Sequence, residues 1–498
     1  MQISSLIIYS SKIYEIIKKS SEAPDIILKD LYLSKKYLGS KERKFINELV
    51  FTSLRLKDFI DFVVNQALKN LSISKNIDYE TIYLYLDGIK FKNIARIFTT
   101  IAIEMNLYHH TSFESALKDI IKLNTKENIK DISDINYEII KALKECCFEH
   151  ETDAMEFWKN ILFFIKKLSD ESKHILESSK IDSDSIKILS TYYSMPEWIL
   201  MKWLSNRYYT FDIKEVSKLS ESFLQPAPIS IRVNTHLISR NEVIDELNKH
   251  GINAHKGNLS PSSVIIEKRI ALTGLNIYKK GLIDIQDEGS QLISYALGPK
   301  NGATVLDACA GAGGKALHIA SIMNDSGKII AYDINYEKIK EVKYRSQRQN
   351  FKSILPIFPQ KNNKIGIYKS FDYVLIDAPC SGMGTIRRIP NPKWKLTEET
   401  LKRYTTRQLE LLEMYSKYVK QGGVLLYSTC SSMFEENDEV IESFLNKNNE
   451  FYPESIPQIL EQYNIQLLHR EKEDYKLHVF THKYGCDTFF ICRLRKKM

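Results

Sequence analysis

The chain has 498 residues, a formal net charge of +8 and 43% hydrophobic residues, enough apolar content for several cores and a mild attraction for polyanions. No apolar run reaches the roughly eighteen residues of a membrane helix, and Lys12, Glu15, Lys18 and Lys19 make the first segment amphipathic rather than a leader. Seven cysteines without disulfide-framework or zinc spacing point to thiols in a reducing cytoplasm and to no metal.

Residues 1 to about 190 read as helical. Phe45, Leu49, Val50 and Leu54 recur at helical spacing, as do Trp158, Phe163 and Phe164, and Pro24 is the only proline before Pro196. Prolines in Leu224-Gln225-Pro226-Ala227-Pro228 mark a linker. A small α/β unit follows, with Ile229–Val233 and Ser263–Ile266 as strands and a helix from Arg240 to His250. It lacks paired aromatics suited to base stacking.

A third region opens at a buried strand, Thr304-Val305-Leu306-Asp307, followed by Ala308-Cys309-Ala310-Gly311-Ala312-Gly313-Gly314-Lys315 and a helix. Glycines allow backbone to approach a ligand, and a helix N-terminus favours negative charge. No Ser or Thr follows Lys315, so the loop is not a P-loop. The strand Lys328–Tyr332 ends at Asp333, where a carboxylate can accept both hydroxyls of a ribose. NAD and S-adenosylmethionine (SAM) both remain open at this point.

Two further strands end in cysteines. Tyr373–Ile376 leads into Asp377-Ala378-Pro379-Cys380-Ser381-Gly382, and Gly422–Tyr427 into Ser428-Thr429-Cys430-Ser431. Strand ends of an open α/β sheet face the ligand crevice. A dehydrogenase has no evident need for two thiols there, whereas cytosine C5 methylation does. A thiolate adding to C6 makes C5 nucleophilic, a carboxyl group such as Asp377 can support charge on the base, and a base must later remove the C5 proton.

These motifs resemble those of the Sun-type family of RNA 5-methylcytosine methyltransferases, a likeness running from about Gln225 to Leu494. Further pieces that carry it are Ile231-Arg232-Val233-Asn234-Thr235, Gln286-Asp287-Glu288-Gly289-Ser290-Gln291, Arg387-Arg388-Ile389-Pro390, Lys393-Trp394, Glu435-Glu436-Asn437 and Asp487-Thr488-Phe489-Phe490. The resemblance implies a multidomain protein: a helical domain over 1–190, a linker and small RRM-like α/β domain over 191–283, and a Rossmann-like SAM-dependent methyltransferase domain over 284–498. It implies Cys430 as nucleophile and Cys380 as the thiol that assists release, with Asp377 beside them. SAM would be held by Cys309, Ala310, Gly311, Ala312, Gly313, Gly314, Lys315, Asp333, Gln360 and Asp377. Arg387, Arg388 and Lys393 are the expected RNA contacts, phosphate suiting the two arginines.

Glu42 to Arg55 resembles the NusB-like RNA-binding domain that precedes the catalytic part in bacterial 16S rRNA 5-methylcytosine methyltransferases, so the expected partner is 16S rRNA and the expected state a cytoplasmic monomer. The chain departs from the family at Ala312, at Gln360 where an acid is usual, at Asn391 and at Thr488. Other readings stand beside these. Asp333 could cap a helix, Arg387 and Arg388 could form a charged turn, Trp394 could be core, and Cys309, Cys146, Cys147, Cys486 and Cys492 could be small buried hydrophobes. A tRNA substrate shares all the chemistry, and a catalytically dead RNA-binding assembly protein is the contrasting function.

Overall fold

The computed structural model describes residues 2–20, 22–75, 88–108, 115–121, 132–178, 181–267, 270–358, 370–468 and 471–498. The chain divides into two compact units. One comprises Met1–Ser205, Phe211–Leu224 and Ile389–Trp394; the other comprises Asn206–Thr210, Gln225–Arg388 and Lys395–Met498.

The first unit is helical, as the spacing of apolar residues predicts. Its helices include Ile3–Lys19, Ser40–Arg55, Lys57–Ser74, Gly88–Ile103 and Glu151–Glu177. Phe45, Ile46, Leu49 and Val50 put one face of Ser40–Arg55 into the core. Buried polar groups then fix which helices meet. Thr52 donates to Glu104 at 3.0 Å, and the hydroxyls of Ser53 and Thr100 lie 2.7 Å apart.

The second unit holds two sheets. The small one contains β1 (Ile229–Val233), β2 (Ala254–Lys256), β3 (Ser263–Ile266) and β4 (Ile283–Ile285), in antiparallel order β2-β3-β1-β4. The helix Arg240–Lys249 between β1 and β2 starts with a capping box built from Ser239 and Glu242. Ile231, Val233, Val243, Leu247 and Val264 form the core beneath this sheet.

The large sheet contains β5 (Thr304–Asp307), β6 (Lys328–Tyr332), β7 (Ile354–Ile357), β8 (Phe371–Asp377), β9 (Val419–Thr429), β10 (Phe451–Pro453), β11 (Lys476–Val479) and β12 (Phe489–Lys496). Its order is β10-β12-β9-β8-β5-β6-β7, with β11 on β12. β5 to β9 pair in parallel and β12 joins β9 antiparallel. This is the doubly wound Rossmann-like arrangement, and it buries its central strands on both faces. Among the described residues, no helix is long and apolar enough to cross a membrane.

Candidate active site

β5, β8 and β9 are parallel neighbours, with Leu306 opposite Val374 and Val374 opposite Leu425. Their ends therefore open into one crevice, where the strand order of the sheet reverses. Beyond β5, Gly311 and Gly313 have φ of 51° and 82°, a region that side chains disfavour. Among the described residues, no heavy atom beyond the chain neighbours lies within 4 Å of where a Cβ would stand on Gly311 or Gly314, so both present bare backbone. Arg232 and Arg345 hold the loop's shape by donating to the carbonyls of Gly314 and Ala312 at 2.6 and 2.7 Å. The Arg232 side chain also reaches Gln286 and Gln349, which gives the Arg232 and Gln286 motifs a shared task.

Two carboxylates serve the same loop. Asp333 accepts the Gly311 N–H at 2.9 Å and the Asn335 N–H at 2.8 Å. The helix Tyr336–Arg348 is capped by Asn335 instead, so the capping alternative for Asp333 falls away. Asp307, at the end of β5, is buried, and among the described residues neither of its carboxylate oxygens has a hydrogen-bond partner. Burial pushes its carboxyl up to about 7, although the Lys315 ammonium lowers it. An orphaned buried acceptor beneath bare glycine backbone fits a ligand that carries an ammonium group, as the methionine part of SAM does. Asp307 had no role assigned from sequence; its signal was the break from an apolar strand to a carboxylate immediately before the glycines.

The two thiols meet at the other side of the crevice. Cys380 Sγ and Cys430 Sγ are 3.3 Å apart. The S–H···S bond to Cys430, together with burial, raises the Cys380 thiol well above its usual range. Asp377 accepts Lys315 Nζ at 2.5 Å and the Ser428 hydroxyl at 3.0 Å. Burial would depress the Lys315 ammonium, but Asp377 outweighs it, helped by Asp307 and Cys430, and the group stays protonated. Lys315 is thus placed among the carboxylates and thiols as well as at the glycine loop.

Glu436 ties the two cysteine loops together. It accepts the Ser381 N–H at 2.8 Å, the Ser381 hydroxyl at 2.5 Å, the Ser431 hydroxyl, and the Gln408 amide at 3.0 Å. Burial raises its carboxyl. Asn437 adds a bond to the Ser431 carbonyl and accepts the Thr429 hydroxyl. Gly384 is wedged between backbone segments, with a Cβ on it falling 2.2 Å from the Thr488 carbonyl oxygen and 2.8 Å from that of Cys430.

The expected RNA contacts are placed differently. Arg387 is buried and donates to Asp487 and to the Gly485 carbonyl. Arg388 joins Asp487 to Asp287 at 2.5 and 2.7 Å. Lys393 belongs to the helical unit, where its buried ammonium donates to the Arg55 carbonyl at 2.6 Å and burial depresses it strongly. Trp394 donates there to the Leu54 carbonyl, a packing role. These three cations are spent on internal acceptors, because each meets a carboxylate or carbonyl far away in sequence. Cys309 is half-buried at the glycine loop, with its thiol raised by burial, and Ala310 is buried. Gln360 falls outside the described residues. Among the described residues, no group of three or more His, Cys, Asp or Glu could hold a metal.

The family "16S rRNA methyltransferase RsmB/F" matches residues 294–495, and its ferredoxin-like domain matches residues 195–273. Over 317 residues the chain is 36% identical to a Bacillus subtilis protein named probable ribosomal RNA small subunit methyltransferase B, covering 63% of this chain and 69% of that one. It is 29% identical over 320 residues to a mouse 28S rRNA (cytosine-C(5))-methyltransferase, covering 62% of this chain and 40% of that one. In fold it resembles the crystal structure of PH0851, with a TM-score of 0.66 and 24% identity over 99% of this chain and 98% of that chain. The chain therefore belongs to the RsmB/F family of SAM-dependent RNA methyltransferases.

Proposed function

We propose that the protein methylates C5 of a cytosine in 16S rRNA through a covalent bond between Cys430 and C6 of the base. The observation that carries this reading is the pair of thiols 3.3 Å apart at adjacent strand ends, beside a glycine loop with an orphaned carboxylate beneath it. Thiolate addition forms the Cys430–C6 bond and moves the C5=C6 electron pair onto C5, where the methyl group is taken up. SAM, which the loop from Cys309 to Lys315 and Asp333 at its ribose would hold, would supply that methyl group as an electrophile, its sulfonium sulfur leaving as the neutral thioether of S-adenosylhomocysteine. A base then removes the C5 proton, the electron pair returns to the ring, and the sulfur leaves C6. Lys315 stands where it stabilises negative charge on Cys430, and the Asp377 carboxyl group serves the polar edge of the base. Cys380, held in the thiol form, serves the release step.

The target base must leave its stack to reach the crevice. The helical unit, with its NusB-like Glu42–Arg55 segment, is the RNA-docking part. The protein works as a monomer in the cytoplasm.

A denaturing gel tests these roles. With SAM and 16S rRNA, Cys380→Ser is expected to accumulate a covalent protein–RNA band, and Cys430→Ala none. The reverse pattern would exchange the two roles and leave the reaction class standing. No methyl transfer to RNA by the wild type, read by bisulfite sequencing, would overturn the function itself.

A further inference from the structure

The helix Glu398–Tyr415 forms a wall of the crevice. It is fixed there by Gln408, a fully buried residue whose amide donates to the Pro379 carbonyl and to Glu436, each at 3.0 Å. Gln408 therefore grips the peptide just before Cys380 and the carboxylate that holds the serine after each cysteine. Tyr404 lies four residues earlier, on the same helix face and one turn closer to the helix start. It is half-buried. Its phenol is raised by burial and then by the charges of Cys380, Glu436 and Cys430, in keeping with its place one turn from the Gln408 amide that bonds the Pro379 carbonyl and Glu436.

Next to that stripe runs another, also at i and i+4, of Arg403 and Arg407. Both are exposed, and their bonds stay on their own helix: Arg403 to the Thr400 hydroxyl at 3.2 Å, and Arg407 to Glu410 at 2.9 Å. Exposed pairs of this kind hold a side chain only weakly. By contrast, Arg387, Arg388 and Lys393 are committed to internal acceptors.

We propose that this helix presents the target nucleotide: the Tyr404 ring packs on the extruded pyrimidine beside Cys430, and Arg403 and Arg407 take the flanking phosphates. The proposal rests on the RNA-methylation reading above. An aromatic face suits this place because every base has a π-face, so the ring can steady the pyrimidine while its edge stays open to Asp377 and the sulfurs. Guanidinium groups one helical turn apart can follow a backbone that passes the crevice mouth.

The test uses the full chain, in-vitro transcribed 16S rRNA and SAM. Tyr404→Ala is expected to lower kcat/KM for RNA by roughly 5- to 100-fold, the range of a single base–aromatic stack, with unchanged SAM affinity. Tyr404→Phe keeps the ring and is expected to retain activity within about threefold. The double variant Arg403→Ala/Arg407→Ala is expected to weaken RNA binding and to reduce the slope of log affinity against log salt by about 1 to 2. Melting temperatures control for folding, and the Phe variant keeps the test valid where the Ala variant folds poorly. Tyr404→Ala turning over within twofold of wild type would overturn the base contact, and an unchanged salt slope would overturn the phosphate contacts. Wild type failing to methylate RNA would instead bring down the underlying reaction.

Discussion

The loops after β8 and β9 are near copies. Each leaves a buried strand through a Cys-Ser pair, and each serine gives its hydroxyl to Glu436. The surroundings of the two sulfurs differ. Cys430 shares its electrostatic environment with the Lys315 ammonium. Cys380 is held as a thiol by its bond to Cys430, by burial and by the charge of Glu436. On the proposed roles, what would separate an attacking sulfur from an assisting one lies largely in neighbours outside the two cysteine motifs, Lys315 and Glu436.

The largest way to break this asymmetry is to remove the cation. Lys315→Met should lower single-turnover methylation by about 10²- to 10³-fold, the usual cost of deleting one preorganised electrostatic group. A loss below about threefold would show that the ammonium does not serve Cys430.

Asp333→Ala sharpens the comparison from the cofactor side, since it should weaken SAM binding by on the order of 2–3 kcal/mol and leave thiol reactivity alone. Unchanged affinity by calorimetry would confine Asp333 to holding the Gly311 N–H.

Glu436→Gln should make the two loops more alike. It keeps the size of the side chain and removes the charge that raises Cys380, so alkylation of Cys380, followed in a Cys430→Ala background, should begin at lower pH. Turnover should fall by about tenfold as the loops loosen. An alkylation profile that stays in place would sink this account of Cys380.

The smallest effect on chemistry should come from His478, which bonds Asp438 at 2.9 Å just beyond Asn437. Burial would depress this imidazole, but Asp438 and Glu471 raise it to about 9. Its folded value lies above that of a solvated histidine, so its contribution is complete below about pH 6.5 and is lost as pH rises through about 9. Denaturant titrations should show wild-type stability falling by on the order of 2 kcal/mol across that window, and His478→Gln should flatten the decline. Equal slopes for the two proteins would refute the linkage.

What could be read in sequence follows from how local each signal is. The glycine loop, the acid after β6 and the cysteines at strand ends are stretches of a few residues, with apolar runs and glycines fixing their geometry. The small unit was legible in the same way, with β1, β3 and the intervening helix at their expected places. Glu436 was visible as a motif but not as a clamp, because its partners Ser381 and Gln408 lie 55 and 28 residues away. The internal partners of the charged motif are hidden from the sequence for the same reason. Arg387 meets Asp487 across 100 residues, and Lys393 meets Arg55 across 338, and nothing in a short charged motif reveals such acceptors. Asp307 is not legible in the sequence, because a carboxylate ending an apolar strand looks ordinary until the lack of partners for it among the described residues is seen.

The membership of Ile389–Trp394 in the helical unit bears on how this protein can be divided. Those six residues interrupt the catalytic stretch of sequence, and Asn206–Thr210 is a reciprocal strip lying within the catalytic unit. No single cut therefore separates the units. A fragment beginning at Gln225 would carry an ammonium and an indole whose acceptors, the carbonyls of Arg55 and Leu54, had been left behind. Exchanging the helical unit between relatives would require grafting both strips together, and a protease nick just after Arg388 would loosen the helical unit while cutting within the catalytic sequence.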